Sequence, residues 1–451
     1  MRKKRIRIHL RNMLMFILVF LTVHLHARPI SVSQQIHELI RAVSSDSISK
    51  HLDQLCWANG HQSRVTYTPG NYFAAEYIAQ YLESLPGIHS VQRDTFYMQY
   101  ATSPYHTWPL INIVATLPGK AQEPKTIILG AHYDASASRE GGSSYYSAHW
   151  ETLRAQGADD NASGVAAMLE IARILSDPSR LFEPDENLVF IAFAAEEYHP
   201  GHPNYHHLGS LYDAEKRKKT NAPLQAALIL DMIAYNPNTD YIEVISNEAS
   251  LWLADKVYES AQNYIDSLIL NETPVDVPYS DHESYQQYGF SSILLMENDS
   301  PWNDDLPFYT SNPYYHKTTD KIETLNFSLL EKVTQLALAT LAELSQNQPA
   351  YIFDTDPAFS ASKPSDFHLK TYPNPFNYST QITFQLNEPG PVTIEIFDLG
   401  GKKVDVLCQN DYFTAGTHKI SWNARENASG LYLMAIRSTG KTYYSKLTLI
   451  R

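Results

Sequence analysis

Acidic residues and histidines recur along this chain at the points where apolar runs end. His132 and Asp134 stand in the string GAHYD, which overlaps the end of the apolar run TIILG. The later positions of this kind are Asp160, Glu196, Glu197, Asp231 and His316. Asp134 lies two residues past His132, where it can accept one ring N–H of that imidazole and fix its tautomer. Any one of these residues alone is typical of a buried or capping side chain, but together they indicate one site.

The residue types in this set favour metal chemistry. Carboxylates and imidazoles without a thiolate suit Zn²⁺ in a catalytic site rather than a structural cysteine site. Two histidines with Asp160, Glu197 and Asp231 can hold two metals if one carboxylate bridges them, and such a pair clamps an attacking water and polarises a carbonyl. Neighbouring side chains of an extended segment point in opposite directions, so Glu197 can bind metal while Glu196 acts as general base, or the reverse.

The elements that must position these residues are those of an α/β domain. Four short apolar runs suit strands buried on both faces of a mostly parallel sheet, and they cover residues 126–130, 187–193, 225–230 and 291–296. Residues 163–175 read as an amphipathic helix capped by Ser163, and residues 327–344 as a second one. In such sheets ligands bind beyond the carboxyl ends of the strands. The sequence therefore predicts one large domain, a mostly parallel mixed sheet flanked by helices.

Five strings of this domain resemble those of the zinc-dependent aminopeptidases of the leucine-aminopeptidase-like clan. They are GAHYD, GADDNASG, AAEE, LILDM and YYHKTTD, in this order within residues 110–345. The resemblance implies a zinc exopeptidase fold and two Zn²⁺ per chain. It also implies peptide substrates, whose N-terminal peptide bond is hydrolysed by a water that the metals bind and a glutamate deprotonates.

The resemblance also implies a role for individual residues. The zinc ligands would be His132 and Asp231 on one metal, Glu197 and His316 on the other, and Asp160 bridging the two. The peptide bond between Asp160 and Asn161 would be cis. Glu196 would be the general base, and Tyr315 would steady the tetrahedral oxyanion, as a tyrosine does in some members of the family.

Other activities remain open on the same residues. A glutaminyl-peptide cyclotransferase shares the fold and the metal residues but cyclises N-terminal glutamine. Those enzymes usually place a tryptophan beside the last histidine, where this chain has Tyr315, although the long loop after Glu197 favours the cyclase. A carboxypeptidase or dipeptidase is a further alternative. A non-catalytic binding protein is another, since relatives of this fold have lost ligands, but no ligand is missing here.

Two inserts and one short string lie near the predicted site. The inserts cover residues 135–157 and 198–208, and we expect both to shape the substrate cleft. The second contains His199, His202, His206 and His207, which suit either an ordinary loop at the rim of the site or an extra metal site. Residues 280–282 resemble the SDH string of the family, a supporting element in which His282 is an alternative sixth ligand.

The end of the chain differs in pattern. Prolines mark residues 349–365 as a linker, and a two-residue apolar period over 366–451 predicts a small all-β sandwich. The strings YPNPFN, SGLYLMAI and SKLTLIR resemble the type-A sorting domain of the type IX secretion system. The resemblance implies that secretion machinery as a partner and a secreted or cell-surface location, reached through the periplasm. An accessory sandwich such as a carbohydrate-binding module is the alternative.

Residues 1–27 are expected to be a cleavable signal peptide, which leaves residues 28–348 as the catalytic domain. A basic stretch precedes the apolar run Met13–Val23, and these eleven residues are too short to cross a hydrocarbon core of about 30 Å, so no stable membrane span is expected. The sequence leaves open whether the stretch from Arg28 to about Asp94 is a removable prosegment. With a net charge of −14 the chain is a poor nucleic-acid ligand. Its two cysteines are expected to be unpaired.

Overall fold

The computed structural model describes residues 32–273, 279–297, 311–346 and 369–450, the last apart from 375, 387, 399–401, 426 and 439–440. The predicted signal peptide and linker lie outside the described residues. The chain divides into two compact units, residues 1–347 and 348–451.

An eight-stranded mixed sheet forms the centre of the first unit. Its strands are β1 (Ser90–Phe96), β2 (Leu110–Leu117), β3 (Thr126–His132), β4 (Asn187–Phe193), β5 (Leu224–Leu230), β6 (Tyr241–Ser246), β7 (Ile269–Thr273) and β8 (Ser292–Met296). Their order in the sheet is β1-β2-β4-β3-β5-β8-β6-β7. The central strands β4, β3, β5 and β8 run parallel, whereas β1, β2 and β6 are antiparallel to the strands they pair with on the central side.

The four predicted strands are the four central ones, and their bounds agree with the sequence pattern to within two residues. Every residue of β3 and β8 is buried, as is all of β4 except its first residue. Parallel strands covered by helices on both faces have no solvent side, so their sequences run continuously apolar instead of alternating. The predicted α/β fold class is confirmed.

Helices cover the sheet. They are α1 (Val32–Ile40), α2 (Ser45–Cys56), α3 (Pro69–Glu83), α4 (Ser143–His149), α5 (Gly164–Leu175), α6 (Leu208–Thr220), α7 (Leu251–Tyr264), α8 (His282–Gln287) and α9 (Phe327–Leu344). The predicted helix 327–344 is α9, and Asn326 caps it by accepting hydrogen bonds from two backbone N–H groups of the first turn. Among the described helices, none combines the length and the apolar character that crossing a bilayer would need.

The prediction that Ser163 caps a helix is wrong. An N-cap residue has non-helical backbone angles, which turn its side chain towards the first free N–H groups. Ser163 instead has φ −61° and ψ −50°, because the tight turn Ala158–Ser163 leads directly into α5. Its hydroxyl donates to the carbonyl of Asp159 and accepts from the N–H of Ile233. Ser163 therefore ties the turn to the end of β5.

The second unit is all β. Its strands are β9 (Leu369–Tyr372), β10 (Ser379–Leu386), β11 (Gly390–Asp398), β12 (Lys403–Phe413), β13 (Gly416–Asn423), β14 (Gly430–Ser438) and β15 (Lys441–Leu449). They form a three-stranded sheet, β13-β10-β9, and a four-stranded sheet, β12-β11-β14-β15, with antiparallel pairing throughout. Alternate residues such as Ile394 and Ile396 fill its own apolar core around Trp422. Cys56 and Cys408 lie in different units, and both are free, as predicted.

Candidate metal centre

The predicted site residues meet at the carboxyl ends of β4, β3 and β5, which are neighbours in the sheet. His132 is the last residue of β3, and Asp231 directly follows β5. Glu196 and Glu197 follow β4 by three and four residues. Because adjacent parallel strands end at the same edge, residues far apart in sequence arrive together there.

Two groups of side chains at this edge have the geometry of metal ligands. In the first group, Nε2 of His132 lies 3.1 Å from Oδ1 of Asp231 and 3.4 Å from Oδ1 of Asp160. In the second, Nε2 of His316 lies 2.9 Å from Oε1 of Glu197 and 3.1 Å from Oδ2 of Asp160. Within each group the ligand atoms lie within 4.8 Å of one another. Asp160 turns one oxygen to each group, as a bridging carboxylate must.

The charge of these groups fits bound cations. Oδ2 of Asp160 and Oε1 of Glu197 are buried, and although Nε2 of His316 lies close to both, neither accepts a hydrogen bond of ordinary geometry, which a buried carboxylate normally needs. Burial alone would lower the pKa of His316, but Glu197 and Asp160 raise it to about 10. The same competition, with Asp231 and Glu196 opposing burial, raises the pKa of His132. The cluster therefore favours positive charge at the two places where ligand atoms converge.

Asp134 holds the segment that carries both glutamates. Its carboxylate accepts the N–H of Glu196 at 3.1 Å and the N–H of Glu197 at 3.2 Å. It also accepts the hydroxyl of Thr66 at 2.9 Å. Nδ1 of His132 lies 3.5 Å from Oδ1 of Asp134, which is longer than an ordinary N–H···O hydrogen bond, so the predicted orientation of the imidazole by Asp134 stays a prediction.

The N-terminal segment of the first unit contributes directly to this environment. Thr66 contacts Asp134, and the guanidinium of Arg64 is fully buried, where it donates to the carbonyls of Tyr133 and Gly157 at 2.8 Å each. Helix α2 and strand β1 also pack into the same unit. No pattern in the sequence connected residues 64–66 to the site, and a prosegment removed up to Asp94 would take these contacts with it.

A tight turn places the central carboxylate. Asp320 accepts the N–H groups of Asp159 and Asp160 at 2.9 and 3.1 Å, and the side chain of Asn161 donates to the carbonyl of Leu230 at 2.8 Å. The Asp160–Asn161 peptide bond is cis, as the family resemblance implied. Gly157 begins the turn with φ +56°, and a Cβ there would lie 2.2 Å from the carbonyl oxygen of Asp160. Only glycine fits at that position.

Glu196 lies beside the first group but belongs to neither. Its Oε2 is 4.0 Å from Nε2 of His132, and its Oε1 is 3.1 Å from Nε2 of His207. Ala195, the residue before it, has φ +53°, a left-handed conformation that is unusual for a residue with a side chain. This bend sends the side chains of Glu196 and Glu197 to different partners, His207 and His316, as is expected of neighbouring residues.

The insert 135–157 supports the loop that carries the last histidine. The hydroxyl of Ser138 lies 3.0 Å from Nδ1 of His316, and the N–H of Arg139 donates to the carbonyl of His316 at 3.0 Å. The Arg139 guanidinium lies 4.6 Å from the ring centroid of Tyr315, whose ring stacks on that of His316 at 3.8 Å. The position of Tyr315 is therefore fixed from both sides. Burial and the carboxylates around it, Glu197 first, raise the pKa of its phenol.

Two other histidines near the site, His199 and His202, are buried and belong to neither ligand group. His199 is buried among aromatic rings, including that of Trp150, and burial lowers its pKa to about 3. His202 is also buried, with Nδ1 placed 3.1 Å from the carbonyl of Tyr205. Among the described residues, the groups able to hold a metal are the two given above, and neither contains a histidine of this loop or His282.

The string at 280–282 supports the site through its serine. The hydroxyl of Ser280 donates to Oδ2 of Asp231 at 2.7 Å, which leaves Oδ1 of that carboxylate facing His132. The resemblance of residues 280–282 to the SDH string of the family predicted this supporting role. The role of Asp320 was not predicted, although this residue is the last one of the string YYHKTTD.

Two protein families match this chain, one over each unit. Residues 112–341 match the model of peptidase family M28. The chain belongs to that family. Residues 370–450 match the family model of a secretion system C-terminal sorting domain. This M28 chain thus combines a peptidase unit with a sorting unit, and both predicted resemblances are confirmed.

The curated relatives of this M28 protein match only part of it. Leucine aminopeptidase 1 of the fungus Pyrenophora teres f. teres is 30% identical over 251 residues, which are 53% of this chain and 57% of the relative. A probable aminopeptidase of Saccharomyces cerevisiae is 23% identical over 319 residues, 70% of this chain and 77% of the relative. The chain thus spans little more than half the length of the fungal enzyme.

Solved structures share the fold. LapB from Legionella pneumophila superposes with a TM-score of 0.54 at 23% identity, over 71% of this chain and 77% of that one. A glutaminyl cyclase from Porphyromonas gingivalis superposes with a TM-score of 0.51 at 21% identity, over 67% of this chain and 99% of that one. At these identities the similarity establishes the α/β architecture of the first unit and does not separate the two activities.

Proposed function

We propose that this M28 protein is a zinc-dependent aminopeptidase that hydrolyses the N-terminal peptide bond of peptides. The observation that carries the proposal is the pair of ligand groups joined by Asp160, with Glu196 beside the first group but a member of neither. The relatives named leucine aminopeptidase, and the family itself, support hydrolysis of peptides as the reaction.

The proposed centre holds two zinc ions. His132 and Asp231 would bind one, Glu197 and His316 the other, and Asp160 both. When bound, the zinc ions would act as Lewis acids that polarise the scissile carbonyl and make a water acidic enough to attack at neutral pH.

The remaining steps belong to side chains of the protein. Glu196 accepts the proton of the attacking water and passes it to the leaving amine, for which a carboxylate not committed to a metal is required. The phenol of Tyr315 donates a hydrogen bond to the oxyanion as it forms. This hydrogen bond stabilises the developing negative charge at a fixed position. Asp134 keeps the backbone of both glutamates in place through the two N–H groups that it accepts.

A metal titration tests this proposal. Protein stripped with a chelator is given zinc in steps, and release of leucine from leucinamide is followed with bound zinc measured at each step. We expect activity to rise with occupancy and to saturate at two zinc ions per chain. Full activity in the stripped protein would overturn the proposed metal chemistry, and saturation at one zinc would overturn the shared role of Asp160.

We further propose a route of export and the matching domain limits. Residues 1–27 direct the chain into the periplasm, residues 28–348 form the catalytic domain, 349–365 link it onwards, and 366–451 present the sorting domain to the type IX secretion machinery, which releases the enzyme outside the cell or onto its surface. The match of residues 370–450 to a sorting domain supports this route.

Truncation separates export from catalysis. A chain that ends at Gln348 lacks the second unit but keeps the whole of the first, so we expect leucinamide hydrolysis at the full-length rate. In the native host we expect this shortened chain to accumulate in the periplasm, while the full-length chain appears outside. Assays of cell fractions and medium measure both effects. A truncated enzyme in the medium would contradict the sorting role, and one without activity would contradict the domain limit.

A further inference from the structure

We propose that His207 is a positioning residue that holds the carboxylate of Glu196 in the orientation its proton transfer requires. This inference rests on the proposed function, since it concerns the general base of that reaction. His207 comes from the insert 198–208, whose histidines suggested either an ordinary loop at the rim of the site or an extra metal site.

The backbone around His207 is attached to the segment that carries Glu196. The N–H of His207 donates to the carbonyl of Glu196 at 3.0 Å, that of Leu208 to Ala195 at 2.9 Å, and that of Gly209 to Ala194 at 2.9 Å. These three consecutive backbone hydrogen bonds fix the end of the insert against the segment 194–196. They hold His207 beside Glu196 independently of the conformation of the rest of the insert.

The side chain of His207 lies between two carboxylates, with the shorter contact to Glu196. Its Nε2 lies 3.1 Å from Oε1 of Glu196, and its Nδ1 lies 3.5 Å from Oε2 of Glu283 on α8. The second carboxylate is itself held, because Oε1 of Glu283 accepts a hydrogen bond from Gln287 at 2.9 Å. Although burial opposes the charged form, the two carboxylates raise the pKa of His207 to about 10. Both ring nitrogens therefore carry hydrogen at neutral pH and can donate.

The two oxygens of Glu196 have different neighbours in this arrangement. Oε1 is engaged by His207, which leaves Oε2 on the side of His132 and the ligand groups, 4.0 Å from Nε2 of that residue. Without the imidazole, Glu196 would lose its cationic partner among several carboxylates and could rotate away. A displaced general base costs rate without changing the metal ligands, since a misplacement of about 1 Å can lower a rate by about 10²-fold.

Kinetics of variants test the inference. We expect His207→Ala to lower kcat by about 10- to 100-fold, with KM and zinc content close to wild type. His207→Gln should recover much of the loss, because the glutamine amide can donate from nearly the place of Nε2. His89→Gln is the matched control, since this exposed histidine directly precedes β1, at the sheet edge opposite the carboxyl end of β4, and it should keep the wild-type rate.

A double variant and a metal-free measurement separate positioning from general damage. Once Glu196→Gln has removed the base, adding His207→Ala should lower kcat no further. In zinc-free protein, the ring nitrogens of His207 observed by ¹⁵N NMR should both be protonated at pH 8, and Glu196→Gln should lower the midpoint of that titration by about one pH unit or more.

The outcomes are distinct. If wild-type protein hydrolyses leucinamide but His207→Ala keeps the wild-type kcat, or His207→Ala slows the Glu196→Gln variant further, the positioning role is overturned and the proposed function stands. An NMR titration of His207 unchanged by Glu196→Gln would also overturn the role. Wild-type protein with zinc bound that hydrolyses no member of a panel of aminoacyl-amides would overturn the proposed function together with this inference.

Discussion

Replacing Glu196 by glutamine is expected to lower kcat by about 10²–10⁴-fold while leaving zinc content and KM close to wild type. Glutamine preserves the shape of the side chain but cannot accept the proton of the attacking water. Every atom of the two ligand groups remains, because Glu196 belongs to neither. Steady-state kinetics with leucinamide and metal analysis of the same preparation measure the two effects.

The neighbouring residue supplies the matched control. Oε1 of Glu197 lies 2.9 Å from Nε2 of His316 inside the second group, so Glu197→Gln should lower zinc occupancy as well as rate. The two adjacent variants are nearly identical in composition and differ only in which function they remove. A Glu196→Gln protein that loses zinc, or one that keeps near-normal turnover, would mean that the roles of the pair are reversed or that the mechanism is wrong.

Replacing Asp160 by asparagine is expected to remove both metals and with them all measurable hydrolysis. Asp160 turns Oδ1 to His132 and Oδ2 to His316, and an amide offers only one oxygen and less negative charge. Zinc per chain, measured after dialysis against metal-free buffer, should fall far below the value for wild type. Loss of activity should be at least as large as for Glu196→Gln.

Glu215 offers the control for that experiment. It is a carboxylate on α6 that pairs with Lys219 one helical turn later, so Glu215→Gln changes charge by the same amount away from the site and should leave zinc and rate unchanged. An Asp160→Asn protein that retains two zinc ions per chain would contradict the bridging role. Far-ultraviolet circular dichroism shows whether the variant is folded.

The parts of the fold that could be predicted are those with a local pattern. The four central strands could be predicted because strands buried on both faces have continuous apolar runs. Helix α9 could be predicted because a long amphipathic period of this kind is typical of a helix. The strands β1, β2, β6 and β7 were not predicted, and a partly exposed edge strand such as Ser90–Phe96 leaves no continuous apolar run. The cap assigned to Ser163 was wrong because Ser163 itself already has helical backbone angles.

The site residues likewise fall into those that the sequence could predict and those that it could not. The residues that the structure brings together as two ligand groups were all named from the sequence, because each follows a strand or starts a helix at a recognisable string. Thr66, Ser138 and His207 were not given roles, since each acts through a contact with a residue far along the chain or across a loop. Such contacts depend on tertiary packing, which a single sequence does not display.

The most direct test of the central claim is the mass spectrum of a peptide with N-terminal glutamine after incubation with the zinc-loaded wild-type enzyme. An aminopeptidase shortens the peptide by its first residue and releases free glutamine. A glutaminyl cyclase, whose fold this chain shares, leaves the length unchanged and removes one ammonia as the ring closes. We predict the shortened peptide, followed by further shortening with time. A full-length product lighter by one ammonia would contradict the account.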